Sequence, residues 1–176
     1  MTARPYQVSR APVVVLIIGF ALAVSLVLLG ASLAEEPVAA PPIDQPGTSS
    51  RPREVNVILR DYAFNPTPLY LVAGETVRLN IVNGGLVEHE IVLGDEAVQR
   101  AWATADALAT PPAPFATAPP ASVAPDTGGV RVLLASGATT LVRYDVPQGD
   151  EPLEMYCHLP GHVEQGMVGQ VVLLSR

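Results

Sequence analysis

The chain reads as an all-β protein built on a two-sheet β-sandwich, and three observations predict it. Apolar and polar residues alternate with period two over short segments, turns bearing Gly and Pro separate them, and helical periodicity is absent from them. Glu54 to Arg60 sets Val55, Val57 and Leu59 against polar neighbours, and Thr76 to Val82 sets Val77 and Leu79 against Arg78 and Asn80. Alternation of this kind belongs to strands with one face buried. Further strands are predicted at Leu69–Ala73, Val87–Leu93, Val130–Leu134, Thr139–Val146, Leu153–Cys157 and Val168–Leu174. Ala73-Gly74-Glu75, Asn83-Gly84-Gly85 and Pro147-Gln148-Gly149-Asp150 supply the turns between them. Many short strands so punctuated favour two packed sheets. The exception is Gly94 to Gly129, where Glu96 to Leu108 predicts a short Ala-rich helix and the following run of Pro and Ala resists regular structure. This stretch reads as an insertion over one end of the sandwich, and its Trp102, Phe115 and acidic residues default to packing or solvation.

The first fifty residues are of another kind. Ala11 to Ala34 carries no charge, follows Arg4 and Arg10, and precedes Glu35 and Glu36. Positive charge on the N-terminal side alone directs the C-terminal part of the chain to the outside of the cytoplasm. The apolar run from Val13 to Leu29 exceeds the roughly 7 to 15 residues of a signal-peptide core and approaches the roughly 20 that span a bilayer. Its length favours an uncleaved single-pass anchor in the cell membrane. Ser32-Leu33-Ala34 also makes an acceptable small-x-small cleavage site, which would yield a secreted or periplasmic protein. Glu35 to Arg53, rich in Pro, Ala, Ser and acidic residues, reads as a disordered linker. The expected organisation is therefore 1–34 as a signal anchor or signal peptide, 35–53 as linker and 54–176 as the domain.

Composition narrows the function classes. Ten Arg, no Lys and seventeen acidic residues leave a net charge of −7, which gives nucleic acid no electrostatic footing. The same excess suits a basic partner surface or plain solubility. One cysteine excludes an intrachain disulfide, and metal ligation is one use for a lone thiol in an exported domain.

The chemistry concentrates in Tyr156-Cys157-His158-Leu159-Pro160-Gly161-His162-Val163-Glu164-Gln165-Gly166-Met167. A thiolate, an imidazole and a thioether recur there as C-x4-H-x4-M between two predicted strands, and a loop joining strand ends turns all three towards one point. Copper fits this mix best: thiolate and thioether favour Cu(I), imidazole suits both oxidation states, and two His plus Cys with a weak Met make an electron-transfer site. The second imidazole comes from elsewhere, and of three His only His89 lies outside this loop. His158 faces away from Cys157 if the strand continues, which points to an exposed or hydrogen-bonded surface role. Met155 points into the core. Met167 is the axial candidate, with a backbone or Gln165 oxygen as the alternative.

These segments resemble the cupredoxin family over most of Glu54 to Arg176 outside the insertion. Asp61-Tyr62-Ala63-Phe64-Asn65-Pro66, the turn Val72-Ala73-Gly74-Glu75-Thr76-Val77, Asn83-Gly84-Gly85 before His89, and the Cys-to-Met loop occur in the family's order. The loop spacing is similar to that of auracyanin and rusticyanin, with a longer Cys-to-His gap than in plastocyanin. The resemblance implies a Greek-key sandwich and one type 1 copper ion. It implies His89 and His162 as nitrogen ligands, Cys157 as the short thiolate bond, Met167 as the long axial contact and His162 as the exit for electrons. One feature departs from better-known members: Glu90 follows His89 where many carry Asn or Ser, putting a carboxylate near the copper. The run from His89 to Asp95 is also similar to small exported cupredoxins linked to copper tolerance.

Other metal chemistry fits less well. Structural zinc favours several thiolates, and Met is a poor zinc ligand. A dinuclear copper centre needs two bridging Cys, and a cluster of three further coppers needs more His than this chain holds. No motif for hydrolysis or phosphate binding is present. The expectation is thus a non-enzymatic copper protein that shuttles single electrons between a reductase complex and a c-type cytochrome or oxidase. Copper tolerance, storage or delivery is the alternative.

Overall fold

The computed structural model describes residues 42–109 and 121–175. The expected N-terminal helix, residues 35–41 of the expected linker and Phe115 lie outside them. Among the described residues no helix is long and apolar enough to cross a membrane.

Among the described residues nine strands and one helix follow one another: β1 (Arg53–Arg60), β2 (Ala63–Asn65), β3 (Leu69–Val72), β4 (Thr76–Asn83), β5 (His89–Gly94), α1 (Glu96–Ala109), β6 (Val130–Leu134), β7 (Thr139–Asp145), β8 (Leu153–Tyr156) and β9 (Val168–Leu174). They form a four-stranded sheet in the order β2-β1-β4-β7 and a five-stranded sheet in the order β3-β9-β8-β5-β6. β1 lies parallel to β4, and β3 parallel to β9. Val57, Leu59, Leu79 and Ile81 from the first sheet meet Leu71, Ile91, Leu93 and Met155 from the second in a core without solvent exposure. Period-two alternation predicts these contacts, because each strand offers alternate side chains to the facing sheet.

Eight strands lie where the alternation predicts them, within about two residues at their ends. β2 is the ninth. It has three residues and one buried side chain, Phe64, too few to show a period. Val87 and Glu88 belong to the loop before β5 and not to the strand itself.

The helix is present but not where the sequence reading puts it. α1 packs on the outer face of β5 and β8, not over an end of the sandwich. All six residues of β5 are buried in consequence: Ile91 and Leu93 face the core, while Glu90 and Val92 lie beneath α1. Asp95 caps the helix by accepting the Val98 N–H at 2.9 Å.

The chain ahead of β1 is tied to the sandwich by a buried carboxylate. Glu75 accepts the Gly47 N–H at 3.0 Å, the Val72 N–H at 2.8 Å and Arg53 Nε at 2.9 Å. Burial alone would push its carboxyl up, but these donors together hold it below its ordinary value of 4.5. A depressed folded-state value contributes stability above pH 4.5 that is lost as pH falls through the folded value. Glu75→Ala should cost about 3–5 kcal/mol at pH 7, because Arg53 and two amides lose their partner. Urea unfolding checks this, and the gap between wild type and variant should narrow below pH 4.5. A gap independent of pH would contradict the assignment.

Candidate metal centre

β5 and β8 run antiparallel as neighbours, with Val92 opposite Tyr156 as the last paired residues at one end. Beyond that pair, His89 at the start of β5 and Cys157 just after β8 lie at the same end of the sheet. Both share the inward parity of Ile91, Leu93 and Met155, and neither is exposed.

The loop after Cys157 folds back through hydrogen bonds from the His162 N–H to the Leu159 carbonyl and from the Met167 N–H to the His162 carbonyl, each at 3.0 Å. The Cys157 N–H closes it on the Met167 carbonyl at 3.3 Å. His162 Nδ1 thereby comes to 3.2 Å from Cys157 Sγ and 3.3 Å from His89 Nδ1. One donor atom from each of the three residues lies within 4.8 Å of the others. Met167 is fully buried at the same end, and its backbone closes the loop. Gln165 is exposed and donates its amide to the Gly161 carbonyl.

Orientation of His89 comes from a residue whose role sequence reading missed. Asp61, in the turn after β1, places Oδ1 3.0 Å from His89 Nε2 and takes the Leu86 N–H at 2.9 Å. The His89 hydrogen bond, then that amide, hold Asp61 below the usual carboxylate value. An ionised carboxylate only accepts, so Nε2 carries the proton and the Nδ1 lone pair faces Cys157 and His162. Gly85 leaves room for this contact: a Cβ there would lie 2.6 Å from both Asp61 Oδ1 and His89 Nε2. Asn83, buried, shapes the same loop by donating to the Val87 and Leu134 carbonyls and accepting the Gly85 N–H.

Tyr62, at φ 62°, sets its ring edge-on to His162 at 5.2 Å between centroids and to His89 at 6.4 Å. That backbone region is costly for a bulky residue and is held only where the surroundings require it.

The electrostatics favour the uncharged forms of His162 and Cys157. Burial, then the neighbouring His89, push His162 below its ordinary value. Burial pushes the Cys157 thiol up. A bound metal ion reverses the second effect by deprotonating the coordinating thiol outright.

Two other residues point away from the donors. The Glu90 side chain is directed to the outer face, where it pairs with Arg131 and accepts the His158 N–H at 3.1 Å. Only its backbone N–H approaches the donors, 3.4 Å from Cys157 Sγ. The expected carboxylate beside the copper is therefore turned to the opposite side of the strand. His158 stands on that side too, half-buried, with Nε2 3.0 Å from Gln99 Oε1, in the hydrogen-bonded role expected of it.

A two-sheet sandwich that gathers two imidazoles and one thiol at one end defines a cupredoxin, and copper suits that donor set. Auracyanin B has a similar structure, at 30% identity and a TM-score of 0.53 over 75% of this chain and 99% of that one. So does auracyanin A of Chloroflexus aurantiacus, a "blue" copper protein, at 25% identity and 0.52 over 70% and 99%. No family model matches the chain. The copper-resistant cuproprotein CopI of Rubrivivax gelatinosus is 37% identical over 134 residues, 75% of this chain and 73% of that protein. CopI of Pseudomonas aeruginosa is 28% identical over 167 residues, 84% and 91%. The chain belongs to the family of CopI cuproproteins, and copper is its cofactor.

Asp61→Asn should weaken copper binding by about 10- to 100-fold while leaving the fold intact. Competition against a chelator measures it, and an unchanged affinity would remove Asp61 from the site.

Proposed function

We propose that the chain is a type 1 copper protein that passes one electron at a time outside the cytoplasm, with His89, Cys157 and His162 as ligands and Met167 as the axial donor. The convergence of two imidazoles and one thiol on the end of a rigid sandwich carries this reading. Copper held there supplies a one-electron couple. The protein's own part is to keep the donors where they are. Strand pairing holds His89 and Cys157, Asp61 fixes the His89 ring, and the loop bonds fix His162. A frame of this kind suits both oxidation states, because little has to move between them.

His162 is the half-buried member of the three, while His89 and Cys157 are enclosed. That supports His162 as the route for electrons to a partner such as a c-type cytochrome or a membrane oxidase or reductase. The charge asymmetry around residues 11–34 supports an extracytoplasmic site for the domain, anchored or released.

A second reading is favoured by one observation: both curated relatives are named copper-resistant cuproproteins. On this reading the chain binds copper for tolerance, storage or delivery without a redox partner. Gly94 to Gly129 contains neither Met nor His, so the insertion adds no thioether or imidazole for further copper, which supports electron transfer.

Adding Cu(II) to the full chain should give an intense thiolate-to-copper band that Cys157→Ser abolishes. A missing band, or one that survives the substitution, would defeat the site assignment. Stopped-flow electron exchange with an extracytoplasmic c-type cytochrome then separates the readings: rapid exchange supports the first, and none despite a reversible copper couple supports the second.

A further inference from the structure

We propose that α1 positions Cys157 from the back of the sheet, through Arg131 and Glu90; the proposal rests on Cys157 serving as the copper thiolate. The β5–β8 ladder pairs Gly94 with Glu154, Leu93 with Met155 and Val92 with Tyr156, and stops there. Two residues beyond Val92, Glu90 bridges the gap to Cys157 and His158. Its backbone N–H meets Sγ at 3.4 Å, and its carboxylate takes the N–H of His158 at 3.1 Å. The placement of the thiol against β5 therefore depends on the Glu90 side chain.

Glu90 is fully buried, and a buried carboxylate needs a charge partner to stay in place. Arg131 on β6 provides it. The register sets Arg131 opposite Val92, diagonal to Glu90 on the outer face, within reach of a long side chain. α1 holds Arg131 in turn: Asp106 Oδ1 lies 2.8 Å from Nη2, and the guanidinium sits 4.3 Å from the centre of the Trp102 ring. Trp102 and Asp106 are four apart on the helix and so share a face. Three residues before Trp102, Gln99 joins the same face. It donates to the Val92 and Glu154 carbonyls at 3.0 Å each and meets His158 Nε2 with its oxygen.

This face differs from that of a helix that only covers a sheet. A covering helix buries an apolar stripe, whereas the two residues that α1 buries most are Val98 and the amide Gln99, and Gln99, Trp102 and Asp106 make directed contacts with the sheet. Trp102 and Asp106 reach Glu90 through Arg131, and Gln99 reaches His158 and the backbone of β5 and β8. Trp102, Asp106 and Arg131 are positioning residues: they touch no donor, yet set how firmly the Glu90 N–H meets the sulfur. A hydrogen bond to a thiolate stabilises its negative charge and weakens its donation to the oxidised metal. Loosening the bond should therefore favour Cu(II) and lower the reduction potential.

The test uses the full chain carrying Trp102→Leu with Asp106→Asn. Arg131→Met is the harsher variant, since it strips a buried carboxylate of its partner and can unfold the chain. In the copper-free protein, hydrogen exchange at the His158 amide should quicken about tenfold in the double variant, while Leu79 and Ile81 in the core exchange as in wild type. In the copper-loaded protein the thiolate-to-copper band should move and the potential should fall. Unchanged His158 exchange, or a band and potential that coincide with wild type, overturns the proposal. If wild type itself gives no thiolate band, the copper reading fails, and His158 exchange alone decides whether α1 holds this loop.

Discussion

The antiparallel pairing of β5 with β8 brings His89 and Cys157 to one end of a sheet with both side chains on its core side. Everything else at the centre is built on that pairing. Strand parity sends alternate residues to opposite faces, so His89, Ile91, Leu93, Met155 and Cys157 face inward while Glu90, Val92, Tyr156 and His158 face outward. The inner face then contributes donors and apolar packing, and the outer face contributes the polar bonds that tie the two strands beyond their ladder. His162 needs only a short loop to complete the set, because its anchor points at Cys157 and Met167 are already joined by a backbone hydrogen bond.

Two buried carboxylates organise the periphery, and each is held by one arginine. Glu75 with Arg53 ties the segment before β1 to the sandwich, and Glu90 with Arg131 ties the metal strand to the helix. In a chain without lysine, the planar guanidinium does this work, and it offers several donors in fixed directions where an ammonium offers a mobile point charge. Asp61 is a third carboxylate of a different kind. It lies at the surface end of the site and acts on one proton, the one it keeps on His89 Nε2.

β1 and β4 were legible in the sequence because their alternation runs the length of the strand, and the other predicted strands because Gly and Pro turns bound short apolar runs; β2, at three residues, showed neither. His89, Cys157 and His162 were legible because loop spacing and a supply of three His left few choices. Asp61 stood in a segment noted for its resemblance, but its contact joins the β1–β2 turn to the loop before β5, a meeting that local pattern does not encode. Glu90 is more instructive. The parity argument that turned His158 away from Cys157 applies equally to Glu90 beside His89, and would have sent its carboxylate to the outer face. The helix was legible from composition, whereas its seat on β5 and β8 depends on Arg131, Gln99 and Trp102, whose partners are distant in sequence.

The central claim is that the frame holds one copper on two imidazoles and a thiolate with little movement between oxidation states. X-ray absorption on the copper-loaded chain, oxidised and then reduced, tests it most directly. The account predicts one short sulfur and two nitrogen neighbours in both states, with distances that barely change. Absence of the short sulfur contact in the oxidised state, or a change in ligand set on reduction, would contradict it.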